Sequence, residues 1–436
     1  MNSNFDLYKD DGIQHVARLM GVYQSIEEGQ LFPVIMFNFC NGFGYSWNLF
    51  YSPFTAYVPL LFHLFTDSFE LILKLFMWLT IFASGIAMYE FTSKVTKNRL
   101  AGVLAGCLYM LAPYHLTDVY MRIAVSELAS FVFVPIVFQG MYNIFHSFEQ
   151  NKNEEDINRN ILQDTKENLN FNKSSEKRGE KLYTKSLVLT LGAVGLVLSH
   201  IVIAMYTAII CFIYVLVNVK KLKDTKILKM LGINILLILL LCSFYLVPML
   251  EHYFSTDYEV FQAGRMERTE ELIRNKVDFI DLLYTGQDEM SFEIGLVTII
   301  GIVLTLLTYK KIEKEYKNIY WFSLITGMAC IILSLRIFPF EKMPAILKMI
   351  QFTFRFLEFS SFFLTWVVAI NYVLTIKNFR MRDVFVLTLI ATLLIVPLKK
   401  NYDTEKEWTE DKLWPAVSVN ENTGRVHAGC ATFEYL

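Results

Sequence analysis

The chain has 436 residues, of which 54% are hydrophobic, 15% are aromatic and only 19% are charged. Soluble globular domains carry about 25% charged residues, so this composition excludes an ordinary soluble protein and predicts one embedded in the lipid bilayer. The net charge of -2, with basic residues dispersed in loops, argues against nucleic acid as a partner.

The chain opens with a polar stretch that contains Asp10, Asp11 and His15, followed by a run of helical apolar periodicity. Asp11 and Gln14 have the spacing of a helix capping box, and Asp11 and His15 lie one helical turn apart. Asp11 is therefore either an N-cap or a general base, and with Asp10 it is also a possible ligand of a divalent cation. The apolar segment 53–65 is too short to span a bilayer and is predicted to lie in the interface or dip into the membrane.

Ten apolar runs follow, several of them close to the ~20 residues that a bilayer span needs. They are predicted to form transmembrane helices at residues 69–91, 100–113, 128–146, 186–199, 201–219, 228–250, 293–309, 319–338, 358–376 and 384–398. These spans give an all-α polytopic integral membrane protein. A polar stretch at 147–185, rich in Asn, Lys and Glu, separates two blocks of spans (69–146 and 186–398) and is predicted to be a disordered cytoplasmic loop.

Clusters of lysine and arginine in short loops set the predicted orientation, because such loops stay on the cytoplasmic side. Counting spans places four basic clusters on one face: residues 94–99, 220–226, 310–317 and 377–382. The extracytoplasmic face then receives residues 1–68, 113–127, the turn at His200, the loop 251–292, 339–357 and the tail 399–436. We expect a helix ahead of residue 1, since ten spans put the N-terminus outside, and we expect the tail to begin a truncated extracytoplasmic domain.

The segment between the second and third predicted spans concentrates charge on that face. Asp118 and Arg122 are spaced for a local i,i+4 ion pair, which is the structural interpretation. Together with Glu127, however, they place three charges in a short loop between apolar spans, where an arginine suits an anionic phosphate. The two interpretations are evenly balanced.

Two further groups on the same face come from distant parts of the chain. His200 closes a short hairpin, as an interface residue or as a donor to phosphate. Arg355 stands among aromatic residues at the start of a span, either as a snorkelling arginine or a partner of Glu358, or as a second phosphate contact. Because ionisable groups are costly at a membrane, their collection on one face is the main functional signal.

Several short motifs follow one another along residues 6–400. They are Asp11 with His15, Gly29-x-x-Phe32-Pro33, Gly42-x-Gly44, Phe50-Tyr51-x-Pro53, Tyr120-x-Arg122 with Glu127, His200 and Arg355-Phe356. In this order they resemble the bacterial YfhO-like membrane proteins, also labelled 6-pyruvoyl-tetrahydropterin-synthase-related, which are similar to GT-C glycosyltransferases. Each motif is loose by itself, and their order and shared face carry the resemblance. The pterin-synthase label implies no activity here, since the chain has no histidine trio with zinc-ligand spacing.

The resemblance implies a GT-C-like fold with surface-lying helices in the first outer loop and a catalytic aspartate. Asp11 matches that aspartate, with Asp10 as the neighbouring alternative; Arg122 and Glu127 match the motif of the second loop, and Arg355 matches a late arginine. We predict that these last three residues, together with His15 and His200, bind substrate.

The implied donor is a polyprenyl-phosphate-linked sugar held in the bilayer, and the acceptor is a cell-envelope glycan or glycolipid. The function expected from the sequence is therefore a membrane glycosyltransferase acting on the extracytoplasmic face. A lipid-linked-sugar flippase and a non-catalytic membrane subunit are the alternatives.

Overall fold

The computed structural model describes residues 7, 11–37, 39, 44–162, 168–255, 276–283, 292–344, 347, 350–375, 383, 385–386, 417–420 and 425–428, with backbone alone at 147–162, 168–183, 341, 417–420 and 425–428. Most of the described chain is helical, in agreement with the predicted all-α membrane class. Two strands, β1 (Val417–Asn420) and β2 (Arg425–Ala428), pair antiparallel.

Fourteen α-helices are described: α1 (Gly12–Glu27), α2 (Trp47–Phe50), α3 (Phe54–Leu60), α4 (Phe69–Thr96), α5 (Arg99–Met110), α6 (Pro113–Thr117), α7 (Val125–Leu162), α8 (Asn168–Ser199), α9 (Ile201–Val217), α10 (Thr225–Ser255), α11 (Leu296–Val303), α12 (Thr305–Thr308), α13 (Lys317–Ser334) and α14 (Phe356–Thr375). A π-helical turn, Asp118–Arg122, follows α6. Short 3-10 turns lie at Leu61–Leu64, Val219–Lys223, Phe340–Lys342 and Thr353–Arg355.

Five helical segments of the described chain are long and apolar enough to cross a membrane: Phe69–Thr96, Val125–His146, Thr225–Ser255, Lys317–Ser334 and Thr353–Thr375. The pair Arg99–Met110 and Pro113–Arg122, bent by 42°, is a sixth if it counts as one span. These helices support a multi-pass membrane protein. The predicted count of ten spans is not confirmed, because three of the apolar runs form shorter helices and the run at 384–398 lies almost wholly outside the described residues.

The described parts of the polar stretch, residues 147–162 and 168–185, are helical, whereas the sequence predicts a disordered loop. The backbone of α7 continues to Leu162 and that of α8 begins at Asn168, so both helices extend well beyond their apolar parts. Lysine and glutamate are good helix formers, and a composition that cannot build a hydrophobic core can still extend existing helices. A polar composition therefore does not exclude helical backbone in this stretch.

Helix α14 lies at the centre of the bundle. Its side chains from Phe356 to Val373 are buried almost without interruption, and it packs against α13, α5 and α11. By contrast, α10 packs mainly on α8 and exposes a row of leucine and phenylalanine side chains, as expected of a helix that faces lipid. The start of α14 is therefore held firmly inside the protein.

One buried amide ties α14 to its neighbours. The Asn371 side chain accepts hydrogen bonds from Thr308 and Tyr320, both at 2.8 Å, and donates to the Gly301 carbonyl at 3.0 Å and to Thr305 at 2.9 Å. All four of its hydrogen-bonding positions are used. Such interhelical bonds supplement packing in a bilayer, where lipid provides no hydrophobic driving force between helices.

Candidate functional site

Glu127, in the first turn of α7, is the centre of a buried group of charges. Its Oε2 accepts hydrogen bonds from Arg122 Nη1 at 2.9 Å and from the Tyr114 hydroxyl at 2.6 Å. Its Oε1 accepts from Arg122 Nη2 at 2.9 Å and from Arg355 Nε at 2.8 Å. One carboxylate thus joins two arginines that are more than 200 residues apart, through charge-assisted bonds that are stronger than neutral ones. We call Asp11, Asp118, Arg122, Glu127, His200 and Arg355 the charge cluster.

The predicted local ion pair is present within this cluster, since Arg122 Nη1 lies 2.6 Å from Asp118 Oδ1. The backbone between Arg122 and Glu127 explains how both side chains reach one point. Asp118–Arg122 is a π-helical turn, and Ile123 then adopts a φ of 51°, which is a strained conformation for a β-branched residue. Strain of this kind is typical of functional sites.

Arg355 does not form the predicted pair with Glu358. Besides its bond to Glu127, its Nη1 donates to the Ile350 carbonyl and to Gln351 Oε1, both at 2.9 Å. Gln351 has a φ of 70°, the second strained residue beside the cluster. A guanidinium has five N–H groups, and those on Nη2 of Arg355 have no acceptor among the described residues. Arg355 therefore has donors left to offer.

His200 joins the cluster from the turn between α8 and α9. Its Nδ1 accepts a hydrogen bond from the Ile203 backbone N–H at 3.3 Å, which caps α9. A neutral imidazole that accepts at Nδ1 carries its proton on Nε2, so the tautomer is fixed. That Nε2 lies 4.0 Å from Glu127 Oε1, which directs an N–H donor into the cluster.

Asp11 precedes α1 and meets the cluster through its backbone, because its N–H donates to the Arg122 carbonyl at 3.3 Å. The capping-box prediction is wrong: the Asp11 side chain makes no capping bond, and its backbone is helical rather than extended, as an N-cap would be. Burial raises the pKa of its carboxyl above the ordinary value, with Arg122 and Arg355 opposing that effect and Glu127 adding to it. Asp10 lies outside the described residues.

His15 belongs to a second group, around Arg18, which sequence reasoning missed. His15 is buried, its ring centroid lies 5.8 Å from that of Tyr51, and burial with the nearby Arg18 lowers its pKa to about 3. It is therefore a neutral imidazole at physiological pH.

Arg18 itself is 1% exposed and has neutral partners among the described residues. Its guanidinium donates to Asn48 Oδ1, Thr55 Oγ1 and the carbonyls of Tyr51 and Ser52 at 3.0 to 3.2 Å, and it lies 4.4 Å from the centroid of the Tyr51 ring. Burial lowers its pKa to about 10. These bonds hold the segment 48–55 on α1. The available signal was an arginine within an apolar-periodic helix.

Tyr51 connects the two groups. Its ring lies beside Arg18, and Asp11, Ser126 and Arg355 all influence the pKa of its hydroxyl. Burial raises the pKa of its hydroxyl to about 12, so it stays a neutral donor and acceptor. The sequence motif Phe50-Tyr51-x-Pro53 contains this residue but assigns it no role.

A glycine controls how closely α1 approaches the cluster. A Cβ atom on Gly12 would lie 2.0 Å from the Leu7 carbonyl oxygen and 2.7 Å from Ile123 Cδ1. We expect Gly12→Ala to displace the start of α1 and to lower the free energy of unfolding by about 1–3 kcal/mol, measured by thermal unfolding in detergent. Gly232→Ala is the control, since a Cβ atom there would meet no atom within 4 Å beyond the neighbouring backbone of its own helix. Equal stability of the two variants would contradict this close packing.

Two further features bear on what the site could hold. A cavity of about 20 Å³ adjoins Tyr114 and is lined partly by Thr298, Ser360 and Thr365, which gives room for about one water molecule. No group of three or more His, Cys, Asp or Glu side chains among the described residues could hold a metal ion. A cation bound by Asp10 and Asp11 stays a prediction.

Comparison with known proteins gives a distant relative. No family model matches the chain. The chain is similar to an uncharacterized protein of Lactococcus lactis subsp. cremoris (strain MG1363), with 26% identity over 349 residues that cover 74% of the chain and 49% of the relative. The chain thus spans about half the length of this curated relative.

Proposed function

We propose that this protein is a membrane glycosyltransferase that moves a sugar from a polyprenyl-phosphate donor to an acceptor on the extracytoplasmic face. The observation that carries the proposal is the position of Asp11, whose backbone N–H donates to the Arg122 carbonyl and whose carboxyl, with a raised pKa, lies within the electrostatic range of Arg122 and Arg355. Arg355 and the His200 Nε2–H lie around Glu127 in the same cluster. Such a grouping combines a base with donors for an anion, which transfer from a lipid phosphate requires.

The helix directions add support for an anionic substrate. Helices α1, α7 and α14 begin at Gly12, Val125 and Phe356, directly beside the charge cluster. The positive ends of three helix dipoles therefore meet the two guanidinium groups, and helix N-termini favour anions such as phosphate. The bilayer would supply the polyprenyl tail laterally.

In the proposed reaction, the Asp11 carboxylate takes the proton of the acceptor hydroxyl. The acceptor oxygen forms a bond to the anomeric carbon, and the bond from that carbon to the phosphate oxygen breaks, with its electron pair leaving on the phosphate. The free N–H groups of Arg355 and the Nε2 proton of His200 stabilise the growing negative charge.

In this scheme Arg122 positions another residue and does not bind the substrate phosphate directly, although the sequence predicts that it does. Both of its terminal nitrogens are bonded to Glu127, and Nη1 also contacts Asp118 and Tyr114. We therefore assign it to positioning Glu127, which in turn orients Arg355. In the proposal, Arg355 and His200 are the main residues that bind the phosphate.

The test is turnover in proteoliposomes that contain the full chain and a panel of radiolabelled polyprenyl-phosphate sugars, with envelope lipids and glycans as acceptors. We expect the wild type to release polyprenyl phosphate and to transfer the label, and Asp11→Asn to do both about 10²- to 10⁴-fold more slowly. Asp67→Asn is the matched control, since this exposed carboxylate lies in the same outer segment and is 99% exposed. Release no faster than in protein-free vesicles would contradict the proposal.

A non-catalytic membrane subunit is the second candidate, because the charges around Glu127 largely neutralise one another. It predicts that alanine at both Asp10 and Asp11 leaves the activity of a partner unchanged. A flippase predicts movement of the lipid-linked sugar across the same vesicles without cleavage of its phosphate bond.

A further inference from the structure

A buried carboxyl on α14 contacts α7 beside the charge cluster. Glu358 is 0% exposed, and its Oε1 lies 2.7 Å from Ser130 Oγ. The same Ser130 hydroxyl lies 2.6 Å from the carbonyl oxygen of Glu127, one turn earlier in α7. Ser130 Oγ therefore has two oxygen neighbours at hydrogen-bond distance, and protons must account for both short separations.

The number of protons decides the state of Glu358. A serine hydroxyl has one proton to donate, and a backbone carbonyl has none. In the short contact with the Glu127 carbonyl oxygen, Ser130 Oγ must therefore be the donor, and this uses its one proton. The second contact is then a hydrogen bond only if Glu358 supplies its own proton to Ser130 Oγ; with an ionised Glu358 it would be a repulsive approach of lone pairs.

The surroundings of Glu358 point the same way. Its Oε2 has no hydrogen-bond partner, and no cation is paired with it among the described residues, since Arg355 turns to Glu127. The two arginines of the cluster already pair with Glu127 and Asp118. An ionised Glu358 would thus be an unpaired buried charge, which is far more costly than a neutral acid with one bond.

We propose that Glu358 is a neutral carboxylic acid at physiological pH, and that in this form it is a positioning residue for Glu127. Its proton joins α14 to the first turn of α7 through Ser130, so that Arg355 and Glu127 are held at bonding distance. Nothing in this assignment of the proton requires the proposed glycosyl transfer; only the activity measurement below rests on it.

The pH dependence follows from the groups that face Glu358. They are Ser130 and Glu127 on α7, Asp118 on the π-helical turn, Tyr109 on α5 and Arg355 just before α14. Glu127 and Asp118 are acidic and Arg355 is basic, so loss of the Glu358 proton places a further negative charge near two other carboxyl groups. The link through Ser130 is therefore present at neutral pH and is lost as the pH rises through the deprotonation of Glu358.

Infrared difference spectroscopy of the full chain in lipid nanodiscs tests the proton directly. We expect a protonated-carboxyl band in the wild type that disappears in Glu358→Gln and persists in Glu28→Gln, which replaces an exposed carboxylate. Persistence of the whole band in Glu358→Gln would overturn the proposal. If that variant does not fold, Ser130→Ala serves instead: the band should shift because its hydrogen bond is lost, and an unshifted band would overturn the proposal equally.

Transfer activity then tests the positioning role. Glutamine has a donor where the neutral acid has its proton, so we expect Glu358→Gln to retain activity within about threefold and to lose the alkaline decline of the wild type. Glu358→Ala should lose at least tenfold. Equal loss in both variants, or an alkaline decline that persists in Glu358→Gln, would overturn positioning by the neutral acid. Absence of transfer in the wild type would contradict the proposed function alone, because the infrared result is independent of turnover.

Discussion

Glu127→Gln is expected to lower the free energy of unfolding by about 3–5 kcal/mol, because removing one partner of a buried ion pair leaves the other charge uncompensated. Here one substitution removes the shared anion of Arg122 and Arg355 and inserts an amide N–H group toward a guanidinium. Thermal unfolding in detergent measures the effect.

The control for this prediction is Glu28→Gln, which makes the same chemical change at an exposed position in the loop after α1. We expect that control to stay within about 0.5 kcal/mol of the wild type, as surface substitutions usually do. A Glu127→Gln protein as stable as the control would mean that the two arginines do not depend on this carboxylate.

Asp11→Asn is expected to reduce the rate of sugar transfer by about 10²- to 10⁴-fold, the usual contribution of a positioned general base. Asparagine keeps the size of the side chain but cannot accept the proton of the acceptor hydroxyl. Affinity for the donor should change little, because Arg355 and His200 hold the phosphate. Steady-state kinetics with a varied donor concentration separate the two effects, and a raised KM with unchanged kcat would contradict the role of base.

The pH dependence of the wild-type transfer rate is a second test of Asp11 as the general base. A base acts only when ionised, so the rate should fall as the pH drops through the pKa of Asp11. Burial raises that pKa, so the midpoint should lie above the ~3.9 of an ordinary aspartate. A rate that stays constant down to pH 4 would exclude a buried Asp11 carboxylate as the base.

The sequence predicted the membrane class and the residues of one face better than their contacts. Composition identifies a membrane protein because the bilayer demands apolar helices, and lysine and arginine in loops put Arg122, Glu127, His200 and Arg355 on a common side. The structure brings these four residues together. Which face of the membrane they occupy stays a prediction.

Partners within the cluster could not be derived from spacing. Arg355 has Glu358 within one turn, yet it bonds to Glu127, because tertiary packing decides which of several carboxylates a guanidinium meets. Asp11 fits the capping pattern, but its side chain does not cap α1. The neutral partners of Arg18 come from a separate segment and leave no periodic signal in the sequence.

Photolabelling tests the central claim most directly: that these distant residues form one site for a lipid-linked phosphate. A polyprenyl phosphate with a photoreactive group beside its phosphate is added to the wild-type protein in nanodiscs, and labelled peptides are mapped by mass spectrometry. The proposal predicts label in α1, in the segment 113–127 and near Arg355, displaced by unlabelled polyprenyl phosphate. Label confined to lipid-facing helices such as α10, and not displaced, would contradict it.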